Sequence, residues 1–303
     1  MNVTIASAQY PITEHLTFED WHKHTENWVL NAVQQHAQLL LFPEYGSMEL
    51  VSIFDKTIQE DIQQQVLALQ TLKEAFCKVF AELANKYQVI IVAPSFPVLE
   101  NDKIFNRAFV FSARGLVGFQ DKFFMTRFEN EEWGINAANP KNLTLFETEW
   151  GTFGIQICYD VEFALGSQML AKAGASLILA PSCTETIRGA TRVHIGARAR
   201  ALENQAYTVV SQTVGNAPWS PAVDINYGFA GFYTTPDKGM PEEGIITTNK
   251  PQEIGWLVET LDFLAIEKVR SDGQVFNFKD HQPLKAGFKD VDIQIVKKKV
   301  SHI

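Results

Sequence analysis

A carboxylate, an ammonium and a thiol each stand where an apolar stretch of the sequence stops: Glu44, Lys122 and Cys158. A thiol attacks a carbonyl only as a thiolate, so it needs a proton acceptor or a cation beside it. Glu44 would accept the thiol proton, and Lys122 would stabilise the oxyanion of a tetrahedral intermediate. The backbone N–H of Tyr159, directly after the cysteine, would assist Lys122. Together these residues predict acyl transfer through a covalent thioester.

Each of the three residues, taken alone, also has an ordinary structural explanation. A buried cysteine is more often inert packing, and a lysine is usually solvated or paired. A carboxylate at the end of a strand is often a hydrogen-bonded structural group. The prediction therefore depends on the three side chains meeting at one place in the fold.

The surrounding sequence alternates between predicted strands and helices. Short apolar runs predict strands at 3–9, 38–43, 89–94, 154–158, 177–181 and 207–212, with a hairpin of 106–111 and 115–120. Helical spacing predicts four helical segments, over 17–33, 57–87, 169–170 and 191–205. Thr17 is expected to cap the first, and the second is expected to begin at Thr57 and to have one long apolar face. This order is typical of an α/β layered protein whose reactive groups lie at strand ends.

Composition excludes several classes of protein. The 303 residues are 46% hydrophobic and 20% charged, which is globular composition rather than disorder, collagen or coiled coil. The formal net charge of -9 would repel nucleic acid, so no nucleic-acid partner is expected. The sequence lacks a leader pattern at Met1–Pro11 and an apolar run near the roughly 20 residues that span a bilayer, so we expect a cytoplasmic protein without a membrane partner.

The cysteines and the chain's lack of internal divisions add two further expectations. Cys77, Cys158 and Cys183 are odd in number and widely spaced, which predicts neither a disulfide framework nor a metal site. No linker-like stretch divides the chain, so we expect one domain over residues 1–270. The more polar stretch 271–303 is expected to be a C-terminal arm or tail of the same domain.

The three strand-end motifs resemble those of the nitrilase superfamily of carbon-nitrogen hydrolases. The motifs are Phe42-Pro43-Glu44, Asp121-Lys122 and the stretch 154–160, in the order glutamate, lysine, cysteine. The resemblance extends to 6–9, Asn106 and 197–204, and so covers most of residues 1 to about 260. It implies a four-layer α-β-β-α sandwich, no metal or organic cofactor, and a homodimer or a larger homo-oligomer.

The resemblance also implies an activity. The protein would be a cysteine-dependent hydrolase that cleaves a non-peptide C–N bond of a small-molecule amide substrate through a thioester, releasing ammonia or an amine. A nitrile or N-carbamoyl hydrolase with the same triad, and a non-catalytic binding protein that retains the fold, are the alternatives. Transfer of the acyl group to an amine instead of water would need only a different second nucleophile.

Many members of the superfamily carry a second glutamate shortly after the lysine, where it positions the substrate and assists proton transfers. The stretch 128–134 offers Glu129, Glu131 and Glu132. Glu129 is preferred, with Glu132 next, because the family commonly places an aromatic residue a few positions beyond this glutamate. Whichever glutamates are not used would belong to a charged loop.

Several residues near the motifs are candidates for the wall of a substrate pocket. Cys183, after the 177–181 strand, would face Cys158, with simple packing as its alternative. His194, on the 191–205 helix, would contact the substrate, with a surface or interface role as its alternative. The aromatic candidates, which suit a compact and partly apolar acyl group, are Tyr45, Phe124, Phe128, Trp133, Tyr159 and Trp219.

Overall fold

The computed structural model describes residues 1–281 of the chain. The strands are β1 (Asn2–Pro11), β2 (Leu39–Leu41), β3 (Ile90–Val92), β4 (Phe96–Glu100), β5 (Lys103–Ser112), β6 (Gly115–Asp121), β7 (Leu145–Glu147), β8 (Thr152–Ile155), β9 (Leu177–Ser182), β10 (Tyr207–Asn216), β11 (Ile225–Asn226), β12 (Gly231–Tyr233), β13 (Ile245–Thr248) and β14 (Gly255–Asp262). The α-helices are α1 (Phe18–Val33), α2 (Lys56–Gln59), α3 (Ile62–Leu69), α4 (Lys73–Tyr87), α5 (Ala164–Lys172), α6 (Ile187–Asn204) and α7 (Phe263–Asp272). Short 3-10 segments cover Gly46–Ile53, Gln70–Leu72 and Cys158–Glu162, and a π-helical turn covers Glu129–Trp133.

Parallel strands form the centre of the sheet. Strands β3, β2 and β1 run parallel, as do β8, β9 and β10, and β1 pairs with β10 in the same direction. Antiparallel strands complete the sheet, including β14 along β1 and the hairpin of β5 with β6. The carboxyl ends of all six central strands therefore open at the same edge, where side chains from distant parts of the sequence converge.

The apolar side chains divide into two main clusters that define the layers. Leu40 of β2 packs in the first cluster, with Trp21 of α1 and Phe80 of α4. Leu39 and Leu41 point the other way, into a second cluster shared with α6. Because both faces of β2 are buried, its sequence is a continuous run of apolar residues. The predicted four-layer α-β-β-α sandwich is confirmed.

The long apolar face predicted over 57–87 is divided into several helices. Asp55 accepts the N–H of Ile58 to begin α2, and Asp61 accepts two N–H groups to begin α3. A 3-10 turn then joins α3 to α4. The prediction that Thr57 begins this segment is wrong, because the neighbouring aspartate caps the helix instead.

The predicted helix over 191–205 begins earlier than its apolar pattern suggested. The side chain of Thr186 accepts the N–H of Gly189, so α6 starts at Ile187. The Thr17 cap of α1 is as predicted, since its hydroxyl accepts the N–H of Asp20. Within residues 1–281, no helix has both the length and the apolar composition needed to cross a bilayer.

Part of the predicted C-terminal arm packs against the body of the protein. Gln205 donates to the carbonyl of Val275, and its own side-chain oxygen accepts the N–H of Phe278. The guanidinium of Arg270 lies 4.0 Å from the centre of the Phe278 ring. The remainder of the arm, 282–303, lies outside the described residues.

Helix α6 approaches the turn that carries Cys158 very closely. A Cβ atom at Gly196 would lie 2.9 Å from the carbonyl oxygen of Val161 and 3.2 Å from Cα of Glu162. These are backbone atoms, which cannot rotate out of the way, so glycine is the residue that permits this approach. The helix therefore fixes the position of the Cys158–Glu162 turn.

We predict that Gly196→Ala lowers the free energy of unfolding by about 1–3 kcal/mol, the usual cost of overpacking. Helix propensity alone predicts the opposite sign, because alanine is favoured over glycine by about 1 kcal/mol in an open helix. Urea unfolding of the two proteins would measure the difference. Thr191→Ala on the exposed side of α6 is the control and should cost nothing. A Gly196→Ala variant as stable as the wild type would contradict the close packing.

Candidate active site

A buried cluster of charged side chains lies at the carboxyl edge of the sheet. The Lys122 ammonium is 2.7 Å from Oε1 of Glu44 and 2.6 Å from Oε2 of Glu129. All three side chains are at most 4% exposed. Charges buried to this degree require partners of opposite sign. Lys122 is the partner of both glutamates.

The position of Glu129 separates the candidates for the second glutamate. Glu129 is buried and contacts Lys122, whereas Glu131 and Glu132 are exposed. Glu131 instead pairs with Arg127 on the surface. Of the glutamates in this stretch, Glu129 is thus the one placed to act beside the lysine, and Glu132 points away from the cluster.

The ends of three strands bring the predicted residues together. Glu44 follows the end of β2, and Lys122 follows β6 directly. Cys158 follows the end of β8 and begins a 3-10 turn. Glu129 comes from the π-helical turn that follows β6 in the sequence.

The Glu44 carboxylate is held by donors from both halves of the fold. Asn106 Nδ2 donates to Oε1 at 2.8 Å, and the backbone N–H of Cys183 donates to Oε2 at 2.9 Å. The Asn106 amide also reaches Oε1 of Glu129 at 3.3 Å. Both glutamates are therefore oriented by the same amide. Asn106 is part of the resemblance to the nitrilase superfamily but was not predicted as a site residue. A polar residue within the apolar 105–111 run was the available signal.

The Glu129 carboxylate is equally well satisfied. The Tyr45 hydroxyl donates to Oε1 at 2.8 Å. The backbone N–H and the hydroxyl of Thr126 both donate to Oε2 at 2.9 Å. No pattern in the sequence pointed to Thr126, whose role depends on the local turn. Donors on every side fix this carboxylate and leave it little freedom to move.

The backbone at Cys158 is in the left-handed region, with φ of +47°. Such a conformation costs a non-glycine residue about 1–3 kcal/mol, and surrounding structure must enforce it. The thiol lies 3.7 Å from the carbonyl oxygen of Cys183, the residue whose N–H binds Glu44. The sharp turn after β8 thus aims the sulfur at the Glu44 side of the site.

Asp160 connects the cysteine turn to the segment after the lysine. Its carboxylate accepts the N–H of Phe124 at 2.8 Å and that of Phe123 at 3.1 Å. Burial raises the pKa of Asp160 to about 7. This residue fixes Cys158 and Lys122 relative to one another, although the two lie far apart in the sequence.

Burial and neighbouring charges give the four ionisable groups different roles. Burial acts against the charge of Lys122, yet the two glutamates raise its pKa well above the usual value. Burial acts to raise the pKa of Glu129, but Lys122 and hydrogen bonds from Thr126 and Tyr45 lower it overall. Lys122 and Glu129 therefore remain a charged pair.

Glu44 is a stronger base in this site than in water, whereas the Cys158 thiol is a weaker acid. Burial raises the pKa of Glu44 above that of an ordinary glutamate. Burial and then the Glu44 charge raise the pKa of the Cys158 thiol well above its usual value. The resting site thus holds a neutral thiol beside a carboxylate that is more basic than usual, which is the arrangement a general base requires.

A cavity of about 770 Å³ opens above these residues. Its base contains Glu44, Lys122, Glu129 and Cys158. The predicted wall residues that line it are Tyr45, Phe128, Trp133, Tyr159 and Cys183. The indole N–H of Trp133 is buried and has no hydrogen-bond acceptor among the described residues, although its ring faces the cavity.

His194 does not reach the cavity, so its predicted contact with substrate is wrong. Its ring stacks on Phe229 with centroids 3.6 Å apart, and its nitrogens hydrogen-bond to Tyr233 and Gln212. Burial lowers the pKa of His194 to about 4, so the ring is neutral. The helical position was right, but the side chain packs between α6 and the strands behind it. Phe124 and Trp219 also lie outside the cavity wall.

Residues 4–249 match the family described as carbon-nitrogen hydrolase, and the chain belongs to that family. The resemblance to the nitrilase superfamily is thereby confirmed. The chain is 33% identical over 283 residues to the probable hydrolase YhcX of Bacillus subtilis, covering 92% of this chain and 54% of that protein. It is 31% identical over 145 residues to the omega-amidase NIT3 of Saccharomyces cerevisiae, covering 45% of this chain and 50% of that one. The chain spans about half the length of these curated relatives.

Solved structures share the fold at lower sequence identity. Nit3 of Saccharomyces cerevisiae, a member of branch 10 of the nitrilase superfamily, superposes with a TM-score of 0.71 at 22% identity, over 89% of this chain and 93% of that chain. A mutant amidase from Nesterenkonia sp. AN1 superposes with a TM-score of 0.72 at 17% identity, over 95% of this chain and 97% of that chain. In that structure the active-site cysteine carries the acetamide moiety of fluoroacetamide.

We predict that Glu44→Gln lowers the pKa of the Cys158 thiol, because it removes a negative charge that raises this pKa and leaves Lys122 in place. The thiolate should therefore form at a lower pH in the variant than in the wild type. Thiolate absorbance in the ultraviolet as a function of pH measures it, after subtraction of the same curve for a Cys158→Ala protein. Glu131→Gln, which changes an exposed glutamate, is the control. An unchanged or higher thiol pKa would show that Glu44 does not act on Cys158.

Proposed function

We propose that this protein hydrolyses the C–N bond of a small amide through a thioester formed on Cys158. The observation that carries the proposal is the buried cluster of Glu44, Lys122 and Glu129 beside the cysteine, at the base of a cavity. Such a cluster is costly to bury, and its groups have the roles that acyl transfer needs.

In the first half-reaction the Cys158 sulfur attacks the carbonyl carbon while Glu44 takes the thiol proton. The carbonyl oxygen becomes an oxyanion, which the Lys122 ammonium and the N–H of Tyr159 stabilise. The C–N bond then breaks, and the proton held by Glu44 passes to the departing nitrogen. Ammonia or an amine leaves, and the acyl group stays on sulfur as a thioester.

In the second half-reaction a water molecule takes the place of the leaving group. Glu44, again a carboxylate, removes a proton from the water as it attacks the thioester carbon. The C–S bond breaks, the acid product forms, and the proton returns to sulfur to regenerate the thiol. One carboxylate thus serves both halves, which fits its raised pKa.

Glu129 keeps the lysine charged and in position in this scheme. Its lowered pKa means that it stays ionised beside Lys122 when Glu44 gains a proton. The cluster therefore never holds an unpaired ammonium during the cycle. Its hydrogen bonds to Tyr45 and Thr126 place it at the cavity wall, where it can also orient the substrate amide.

The cavity suits a small substrate with a partly apolar acyl group. Its volume is within the range of about 300–1,000 Å³ that is typical of small-molecule sites. Tyr45, Phe128 and Trp133 supply aromatic walls to the cavity. The omega-amidase and amidase names of the relatives support an amide as the substrate class.

We predict that small amides, including ω-amides, release ammonia with the wild-type protein and place an acyl group on Cys158. Intact-protein mass spectrometry should show an added mass equal to the acyl group, in parallel with ammonia detection. Cys158→Ala should lower ammonia release by about a thousandfold or more, as expected for loss of a nucleophile. Glu131→Gln is the matched control and should behave as the wild type.

Other outcomes of the same experiment separate the alternatives. Added mass with nitriles or N-carbamoyl compounds but not amides would keep the thioester and replace the substrate class. No product, together with a Cys158 that iodoacetamide modifies no faster than Cys77, would contradict the proposed activity and favour a binding protein.

We also propose that the protein forms a homodimer through the exposed apolar side chains of α5 and α6. Leu165 and Met169 lie one turn apart on α5, and Ile195 and Leu202 lie two turns apart on α6. All four are at least 40% exposed and lie on two helices that pack against each other. Exposed apolar residues that form a patch mark an interaction surface. Light scattering should give twice the chain mass for the wild type and the single mass for Ile195→Glu. A monomeric wild type would contradict this.

A further inference from the structure

Two imidazoles and a carboxylate meet in the interior at a place separate from the cavity above Cys158. His15 follows β1, His24 belongs to α1, and Glu49 lies in the 3-10 segment Gly46–Ile53. Their potential ligand atoms all lie within 4.8 Å of one another. None of the three lines the active-site cavity, and the proposed mechanism uses none of them.

The Glu49 carboxylate is held so that one of its oxygens faces the histidines. Its Oε1 accepts the Tyr10 hydroxyl and the Trp21 indole N–H, each at 2.7 Å. Its Oε2 lies 3.5 Å from Nε2 of His15. Hydrogen bonds to the outer oxygen of a carboxylate are the arrangement that orients metal-binding carboxylates in proteins.

Both histidines leave a buried ring nitrogen without a partner. Nε2 of His15 and Nε2 of His24 are inaccessible to solvent, and neither has a hydrogen-bond partner among the described residues. His15 as a whole is only 6% exposed and Glu49 only 1%. Buried polar atoms are nearly always satisfied, so two such nitrogens on histidines clustered with one carboxylate point to an occupant of the cluster.

We propose that His15, His24 and Glu49 bind a zinc ion, with water as the fourth ligand. Two imidazole nitrogens and one carboxylate oxygen are a common protein ligand set for zinc. Imidazole does not suit calcium or magnesium, which prefer oxygen ligands alone. Zinc bonds of about 2.0–2.2 Å require the three atoms to move together by less than about 1 Å.

The ion would have a structural role. It would join the end of β1, helix α1 and the 3-10 segment that begins just after Glu44 and Tyr45. Because these segments do not meet in the unfolded chain, zinc would bind the folded state preferentially and stabilise it. His24 is only partly buried, and so provides the route by which an ion and its water reach the site.

The test is zinc uptake by the full-length protein after removal of metal with a chelator. It is carried out in a Cys158→Ala background, so that zinc held by the active-site thiol is not counted. With micromolar zinc followed by dialysis, the parent should retain a single equivalent by elemental mass spectrometry. His24→Gln should retain almost none, and His22→Gln, an exchange two residues away on α1, should retain it fully.

A second measurement guards against misfolding. Cobalt in place of zinc should give the intense visible absorption of a four-coordinate ion in the parent and in His22→Gln, but not in His24→Gln. Zinc should raise the midpoint of thermal unfolding of the parent and leave that of His24→Gln unchanged, while both unfold cooperatively without metal. Glu49→Gln is avoided because it would also disturb Tyr10 and Trp21. Absence of zinc from the parent, or equal zinc in His24→Gln, would overturn the proposal.

Discussion

One ammonium shared by two buried carboxylates is the interaction on which the active-site region depends. Lys122 contacts Glu44 and Glu129 at hydrogen-bond distance, and all three side chains are almost fully buried. Removing one partner from a buried ion pair typically costs about 3–5 kcal/mol, far more than a surface pair contributes. Burial of the carboxylates also requires that their remaining lone pairs accept hydrogen bonds. Asn106 and Thr126 donate those hydrogen bonds.

The arrangement of the strands brings the residues of that cluster together. Six central strands present their carboxyl ends at one edge, where the turns after β2 and β8 carry Glu44 and Cys158. The segment after β6 brings Lys122 and Glu129 to the same place. Two contacts then fix the thiol relative to the charges. Asp160 binds the segment after Lys122, and Gly196 allows α6 to press against the cysteine turn. The left-handed backbone at Cys158 persists because packing on both sides enforces it.

The sequence was informative where chemistry and local pattern coincide. Apolar runs that end at a carboxylate, an ammonium or a thiol predicted strands and the three residues Glu44, Lys122 and Cys158. The structure brings these three residues to one cavity. The sequence could not show that Glu129, rather than Glu132, turns inward, because that depends on a π-helical turn. The predicted contact of His194 with substrate was also wrong. Helical spacing shows which face of a helix carries a residue, but it does not show which part of the protein packs against that face. The contact of Thr126 with Glu129 depends on the geometry of a local turn, and Asp160 joins two segments that are distant in the sequence, so no sequence pattern predicted either contact.

The raised pKa of the Cys158 thiol has a consequence for its chemistry with oxidants. Peroxides react with thiolates, not with thiols, so a cysteine that remains protonated is protected even at the base of an open cavity. The same burial that makes a base necessary in the proposed mechanism thus slows oxidation of the sulfur. In the proposed mechanism the sulfur becomes reactive toward any electrophile, a substrate or iodoacetamide alike, when Glu44 withdraws its proton.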